Sequence, residues 1–241
     1  MPTYHPSAKT LVLLGLAWLL YCIIHSALAS LFLKRWTLKH LPRFIPIYRL
    51  TYNALALLLL WPVLWMMHKI RSPWLWQWHA PWTLIPYGLS ACAIGGFLWS
   101  LRWYDGSAFL GLRQWRERNQ EIADREALHL SPLHRFVRHP WYSLGLVLVW
   151  AFDMDATRLV SAGAVTLYLF VGSRLEERKL IHEHGYAYEA YCRRVPGLIP
   201  WPRRTLTAAE ANALLLQTEA ERQRRGITSS SSCTHSRNQQ P

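Results

Sequence analysis

Two short stretches concentrate the residues that could do chemistry. Arg138-His139-Pro140-Trp141-Tyr142 sets a guanidinium, an imidazole and a phenol side by side. Arg174-Leu175-Glu176-Glu177-Arg178-Lys179 supplies two adjacent carboxylates among cations. Pro140 suits the first turn of a helix, where its missing N–H costs nothing. Such a helix start offers free backbone N–H groups and a positive dipole end, a natural place for a carboxylate. His139 precedes it as a cap. An interfacial anchor of basic and aromatic residues explains the first stretch equally well. Surface pairs, Arg174 with Glu177 and Glu176 with Lys179, explain the second. A functional site requires at least one glutamate to turn inward toward His139.

Other polar groups sit inside apolar runs, where ionisable residues are functional candidates. His25 shares a helical face with Ala17, Tyr21 and Ala29. Arg49 shares one with Asn53, and Arg113 follows the third apolar run. A histidine bonded to a neighbouring helix and arginines reaching to the interface are the structural alternatives. His182, Glu183 and His184 do not follow HExxH spacing, because adjacent helix positions diverge, so no metal is expected. Cys22, Cys92, Cys192 and Cys233 form no CxxC pair and read as separate thiols.

The elements that must position these groups are membrane spans. The chain has 241 residues, of which 51% are hydrophobic and only 17% charged. Soluble domains carry about 25% charged residues. Uncharged segments at 10–33 and 50–67, and Trp82–Leu101 within a span near 82–104, approach or exceed the length that crosses a bilayer core. The shorter apolar segments Trp141–Phe152 and Leu159–Ser173, within spans near 141–153 and 157–176, read as a helical hairpin whose tight turn is capped by Asp155 or Thr157. The expected fold is all-α, a polytopic membrane protein with about five transmembrane helices and a cytoplasmic C-terminal segment. Residues 1–204 form the membrane domain, 205–226 a helix opened by the capping box Thr207-Ala208-Ala209-Glu210, and 227–241 a disordered tail.

The net charge of +13 is placed between apolar blocks and in the tail, which argues for membrane-flanking loops and against nucleic acid. Of the 27 Lys and Arg, only Lys9, Lys69, Arg71 and Arg158 fall on one side. The positive-inside rule therefore sets the N-terminus outside and the C-terminus in the cytoplasm. Ala27-Leu28-Ala29 resembles a signal-peptidase site, but the basic flank follows the apolar run instead of preceding it. Gly88, Cys92, Gly96 and Ser100 make a small-residue stripe suited to close helix contact. The absence of an internal repeat weighs against a transporter built from inverted halves.

The combined pattern resembles a known superfamily. It comprises Arg138-His139-Pro140-x-Tyr142, Leu175-Glu176-Glu177-Arg178-x-Leu180, Gly185-x-x-Tyr188-x-x-Tyr191 and Val195-Pro196-x-Leu198-Ile199-Pro200. It is similar to the isoprenylcysteine carboxyl methyltransferase and phospholipid methyltransferase superfamily. His25-Ser26-x-x-Ala29-Ser30, Tyr48-Arg49-x-x-Tyr52-Asn53 and Phe109-x-Gly111-Leu112-Arg113-Gln114 look more like its bacterial branch, which holds methanethiol S-methyltransferase and NnrU-like proteins. The strong resemblance covers residues 133–202 and the weaker one 25–114. Trp141-Tyr142-Ser143 departs from the smaller residues and glycine often found after the proline.

The resemblance implies an S-adenosylmethionine-dependent integral membrane methyltransferase of a bacterial inner membrane. It implies that Arg138, His139, Tyr142, Glu176 and Glu177 bind the cofactor on the cytoplasmic side. The acceptor is then a small thiol, or alternatively a prenylcysteine carboxylate or lipid amine. A thiol must reach its thiolate form to attack. From depth and residue type, His25 is the candidate base, with Arg49 and Arg113 lowering the thiol's pKa. Membrane lipids are expected partners. A non-catalytic transporter or accessory protein is the alternative from another class.

Overall fold

The computed structural model describes residues 6–118, 128 and 130–224, with side chains described as far as residue 220. Nine α-helices are found among them: α1 (Ala8–Ala29), α2 (Leu31–His40), α3 (Ile45–Lys69), α4 (Leu84–Ser100), α5 (Gly106–Leu110), α6 (Leu112–Arg116), α7 (Pro140–Trp150), α8 (Ala156–Arg194) and α9 (Ala208–Arg224). Strands β1 (Trp74–Trp76) and β2 (Met154–Asp155) form one antiparallel pair. The chain divides into two compact units. One comprises Met1–Ile122 and Trp141–Val171; the other comprises Ala123–Pro140 and Gly172–Pro241.

Four helical segments are long and apolar enough to cross a membrane: Ala8–Ala29, Pro42–Lys69, Leu84–Trp103 and Ala156–Arg194. The first expected span ends at Ala29, not at residue 33. Ser30 leaves the helical region, accepts a hydrogen bond from the Leu33 N–H through its side chain, and starts α2 as N-cap. The fourth apolar segment is helical for only 11 residues, about 16 Å, against a hydrocarbon core of about 30 Å. The chain leaves the helix after Trp150 and runs into β2 instead of a simple tight turn. Asp155, not Thr157, caps α8: its Oδ1 accepts from the Arg158 N–H at 2.7 Å.

In the first unit, α1, α3 and the start of α8 bury Leu14, Trp18 and Val63 against Val160, Ala164 and Val165. The Trp18 indole N–H donates to Ser161 Oγ at 2.9 Å, which satisfies a buried polar edge. Leu13, Leu16, Leu20 and Ile23 stay exposed on α1, as expected of a helix with lipid on its outer side. The small-residue stripe of α4 acts at one end only. A Cβ on Gly96 would touch Leu144, whereas one on Gly88 would meet nothing within 4 Å. Ser100 is fully buried and accepts the Trp141 indole N–H at 2.8 Å.

The second unit has its own core of Ala187, Tyr188, Tyr191, Val195, Leu206, Ala211 and Leu214. The capping box at the start of α9 is formed: the Glu210 N–H donates to Thr207 Oγ1, and the Thr207 N–H donates to Glu210 Oε2. Helix α8 is broken at Gly185, whose φ of 64° and ψ of −142° belong to a region only glycine occupies readily. The expected tail at 227–241 lies outside the described residues.

Candidate functional site

The charged cluster of the second unit grows from backbone pairing. The Arg138 and His139 N–H groups donate to the Pro196 and Gly197 carbonyls at 2.9 and 3.1 Å. This lays the start of the Arg-His-Pro motif alongside the proline-rich finish. The Arg138 side chain then turns inward, 9% exposed. Its Nε donates to Glu177 Oε1 at 2.8 Å, and Nη2 lies 2.7 Å from the same oxygen. Its Nη1 donates to the Cys192 carbonyl at 2.7 Å and also to the Val195 carbonyl. One guanidinium thus joins the end of α8, the following turn and a buried carboxylate. Lysine has no geometry for this, having a single donor centre.

Glu177 is buried, and its Oε1 also lies 3.1 Å from His139 Nε2. Glu176, pointing about 100° away around the helix, is half-exposed, with Oε2 3.5 Å from His139 Nδ1. Arg174 is exposed and reaches Glu177 Oε2 at 3.6 Å. The surface pair of Arg174 and Glu177 therefore coexists with an inward-facing Glu177. Gly197 packs on the cluster so closely that a Cβ there would lie 3.4 Å from Arg138 Nη2.

Burial by itself disfavours a charged His139, but the hydrogen bonds and negative charges of Glu176 and Glu177 outweigh it, and the imidazole pKa is raised. A folded-state value above the unfolded one, about 6.5, stabilises the fold fully below that pH. The contribution disappears as pH rises through the raised value. Thermal midpoints should therefore fall across this alkaline-going window in the native protein. His139→Ala should remove that part of the pH slope; an unchanged slope would mean the imidazole is neutral when folded.

The polar groups of the first unit form two further sets. His25 on α1 stands between two phenols, with Nε2 2.7 Å from Tyr52 Oη and Nδ1 2.6 Å from Tyr168 Oη. A neutral imidazole donates at one nitrogen and accepts at the other, so one tyrosine donates to it and the other accepts. Tyr52 belongs to α3 and Tyr168 to α8. The network ties three helices across apolar surroundings.

The other set surrounds the turn between α5 and α6. Arg49 Nη1 and Gln114 Nε2 donate to the Ala108 carbonyl at 2.9 and 3.2 Å, and Asn53 Nδ2 donates to the Leu110 carbonyl at 3.1 Å. Gly111 sits at φ 91°, where a Cβ would fall 2.8 Å from the Leu50 N atom. Glycine is required there by both backbone and space. Arg113 pairs at 2.6 Å with Asp105, both half-exposed. Asp105 also caps α5 by accepting from the Ser107 and Ala108 N–H groups.

Of the sequence-derived residues, Arg138, His139, Glu176 and Glu177 thus converge in the second unit. His25 falls in one polar set of the first unit and Arg49 and Arg113 in the other, around the turn between α5 and α6, and half-buried Tyr142 lies on α7 in that unit. Sequence reasoning missed Tyr168, an aromatic in an apolar run that looks like core. It also missed the Cys192 and Val195 carbonyls, because backbone acceptors leave no residue-type signal.

Four long apolar helices and a shorter one, together with the relatives the chain matches, define an integral membrane methyltransferase. The chain is 36% identical over 192 residues to methanethiol S-methyltransferase 2 of Bradyrhizobium diazoefficiens, covering 75% of this chain and 70% of that one. It is 33% identical over 205 residues to a methanethiol S-methyltransferase of Mycobacterium tuberculosis, covering 80% and 78%. A methanethiol S-methyltransferase of a Pseudomonas species matches at 32% over 195 residues, covering 75% and 70%. The chain belongs to the methanethiol S-methyltransferase family. No profile of a known family matches it, and no solved structure does so with significance.

Proposed function

We propose that the protein methylates a small thiol, methanethiol first among candidates, with S-adenosylmethionine as the methyl donor. The observation that carries this reading is the similarity to proteins named for that reaction, over three quarters of the chain. The second unit's cluster has chemistry that suits the donor's amino-acid end. Glu176 offers a half-exposed carboxylate for an ammonium, and exposed Arg174 a cation for a carboxylate. When bound, S-adenosylmethionine supplies an electrophilic methyl group. His139 and Glu176 are proposed to contact it, and Arg138 and Glu177 to hold them in place. Tyr142 is proposed as a donor contact on the family resemblance. The cluster is proposed to face the cytoplasm, in a bacterial inner membrane.

The membrane unit is proposed to handle the thiol. His25 already has a tyrosine at each ring nitrogen. It would accept the thiol's proton through Tyr52 or Tyr168, not directly. Arg49 and Arg113 are the proposed cations that favour the thiolate, Arg113 from beside the carboxylate of Asp105. Purified protein supplied with labelled S-adenosylmethionine should convert methanethiol to labelled dimethyl sulfide and leave prenylcysteine and lipid amines unlabelled. Labelled lipid in place of the volatile thioether would overturn the thiol reading. No product from any acceptor, with no donor binding, would favour the transporter or accessory alternative.

A further inference from the structure

We propose that α2 and the turn that follows it bind the headgroup of an anionic phospholipid. Arg35 and Lys39 lie one turn apart on α2, and Phe32 and Trp36 lie one turn apart beside them. All four are exposed, Phe32 at 79%. The Trp36 and His40 rings lie 5.0 Å apart on the same side, tilted by 40° to each other. The opposite side is the packed one: Thr37 is 4% exposed, and its hydroxyl donates to the Leu33 carbonyl. The solvent-side face thus interleaves cations with large apolar rings, the composition that suits the boundary between headgroups and acyl chains.

Beyond α2 the chain turns through Leu41, Pro42 and Arg43 into α3. An open recess of about 380 Å³ forms there, lined by His40, Leu41, Pro42, Arg43 and Phe44. Arg43 is exposed at its edge. Among the described residues, no carboxylate pairs with Arg35, Lys39 or Arg43. The sequence has no Asp or Glu before Asp105, so this segment has no acid of its own to balance Arg35, Lys39 and Arg43. A phosphodiester supplies the missing negative charge, and its acyl chains suit Phe32, Trp36 and the apolar wall of the recess. Charge complementarity selects an anionic over a zwitterionic lipid. The inference does not depend on which acceptor the enzyme methylates.

The test places the full-length protein in bilayer discs of phosphatidylcholine containing a minor share of labelled phosphatidylglycerol. Retention of the labelled lipid by the protein is measured after exchange. Native protein should retain phosphatidylglycerol preferentially, and added salt should weaken the preference. Each cation removed should lower the preference about fivefold, and Arg35→Gln, Lys39→Gln and Arg43→Gln together about a hundredfold. Arg43→Gln alone, an exposed change, provides a readable loss if the triple variant does not insert. Arg35→Lys with Arg43→Lys should keep most of the preference. Lys69→Gln with Arg71→Gln, about 36 Å away along α3, should leave it unchanged. Equal retention of both lipids by native protein, or an equal loss in the Lys69 and Arg71 variant, would overturn the proposal.

Discussion

Arg138→Ala should destabilise the C-terminal unit by about 3–5 kcal/mol, the usual effect of leaving one partner of a buried ion pair alone. Both side chains are less than a tenth exposed, so solvent screening does little to soften the loss. The change leaves buried Glu177 with His139 and the exposed Arg174. It also removes the donor to the Cys192 and Val195 carbonyls. Arg138→Lys should recover little, because one ammonium cannot reach a carboxylate and two carbonyls lying in different directions. Thermal midpoints in detergent and the rate of tryptic cleavage after Arg193 and Arg194 both report the effect. Pairing Arg138→Met with Glu177→Gln should lose less than Arg138→Ala, since no buried charge is then left unmatched. Faster cleavage in Arg138→Ala with an unchanged midpoint would confine the guanidinium's role to the turn.

Glu176→Gln should weaken S-adenosylmethionine binding by roughly ten- to a hundredfold, the value of a hydrogen bond to a charged group, with almost no change in stability. Its carboxylate is half-exposed and 3.5 Å from His139, so little of the fold depends on it. Glu177→Gln should lower both donor affinity and stability, because that carboxylate balances Arg138 and His139 in a buried place. His139→Ala should reduce donor affinity by a similar factor. Equilibrium binding of labelled donor, read beside thermal midpoints, separates the two roles. If Glu176→Gln and His139→Ala both leave the dissociation constant unchanged, the donor does not bind at this cluster.

Much of this arrangement is legible in the sequence, for identifiable reasons. The apolar runs declare themselves by length, and the capping box at Thr207 and Glu210 by spacing. The pairing of the Arg-His-Pro motif with the proline-rich finish is foreshadowed by their recurrence together. The boundary at Ser30 is less visible, since a serine inside an apolar run looks like tolerated polarity until its side chain caps the next helix. The shortness of α7 was hidden because apolar composition continues past the last helical residue. Gly111 carries no mark that separates it from other glycines; only the closeness of Leu50 requires it. Arg138 looked like a ligand for an anion, yet much of its donor capacity is spent on carbonyls and Glu177. That choice depends on where the chain returns in space, which no local pattern encodes.

The partners of Arg138 also have an order in time. Glu177 lies 39 residues after it and Val195 57 residues after it. At about 5–20 residues per second, a ribosome leaves the guanidinium without its last carbonyl for roughly 3–11 s. Throughout that interval His139 and the beginning of α7 exist without the segment that anchors them. A chain truncated before Val195 therefore carries every titratable group of the cluster and lacks the backbone that fixes them. Completion of the cluster waits for synthesis to pass Val195, so chains halted in the membrane before that point lack the assembled cluster and lie open to quality-control proteases.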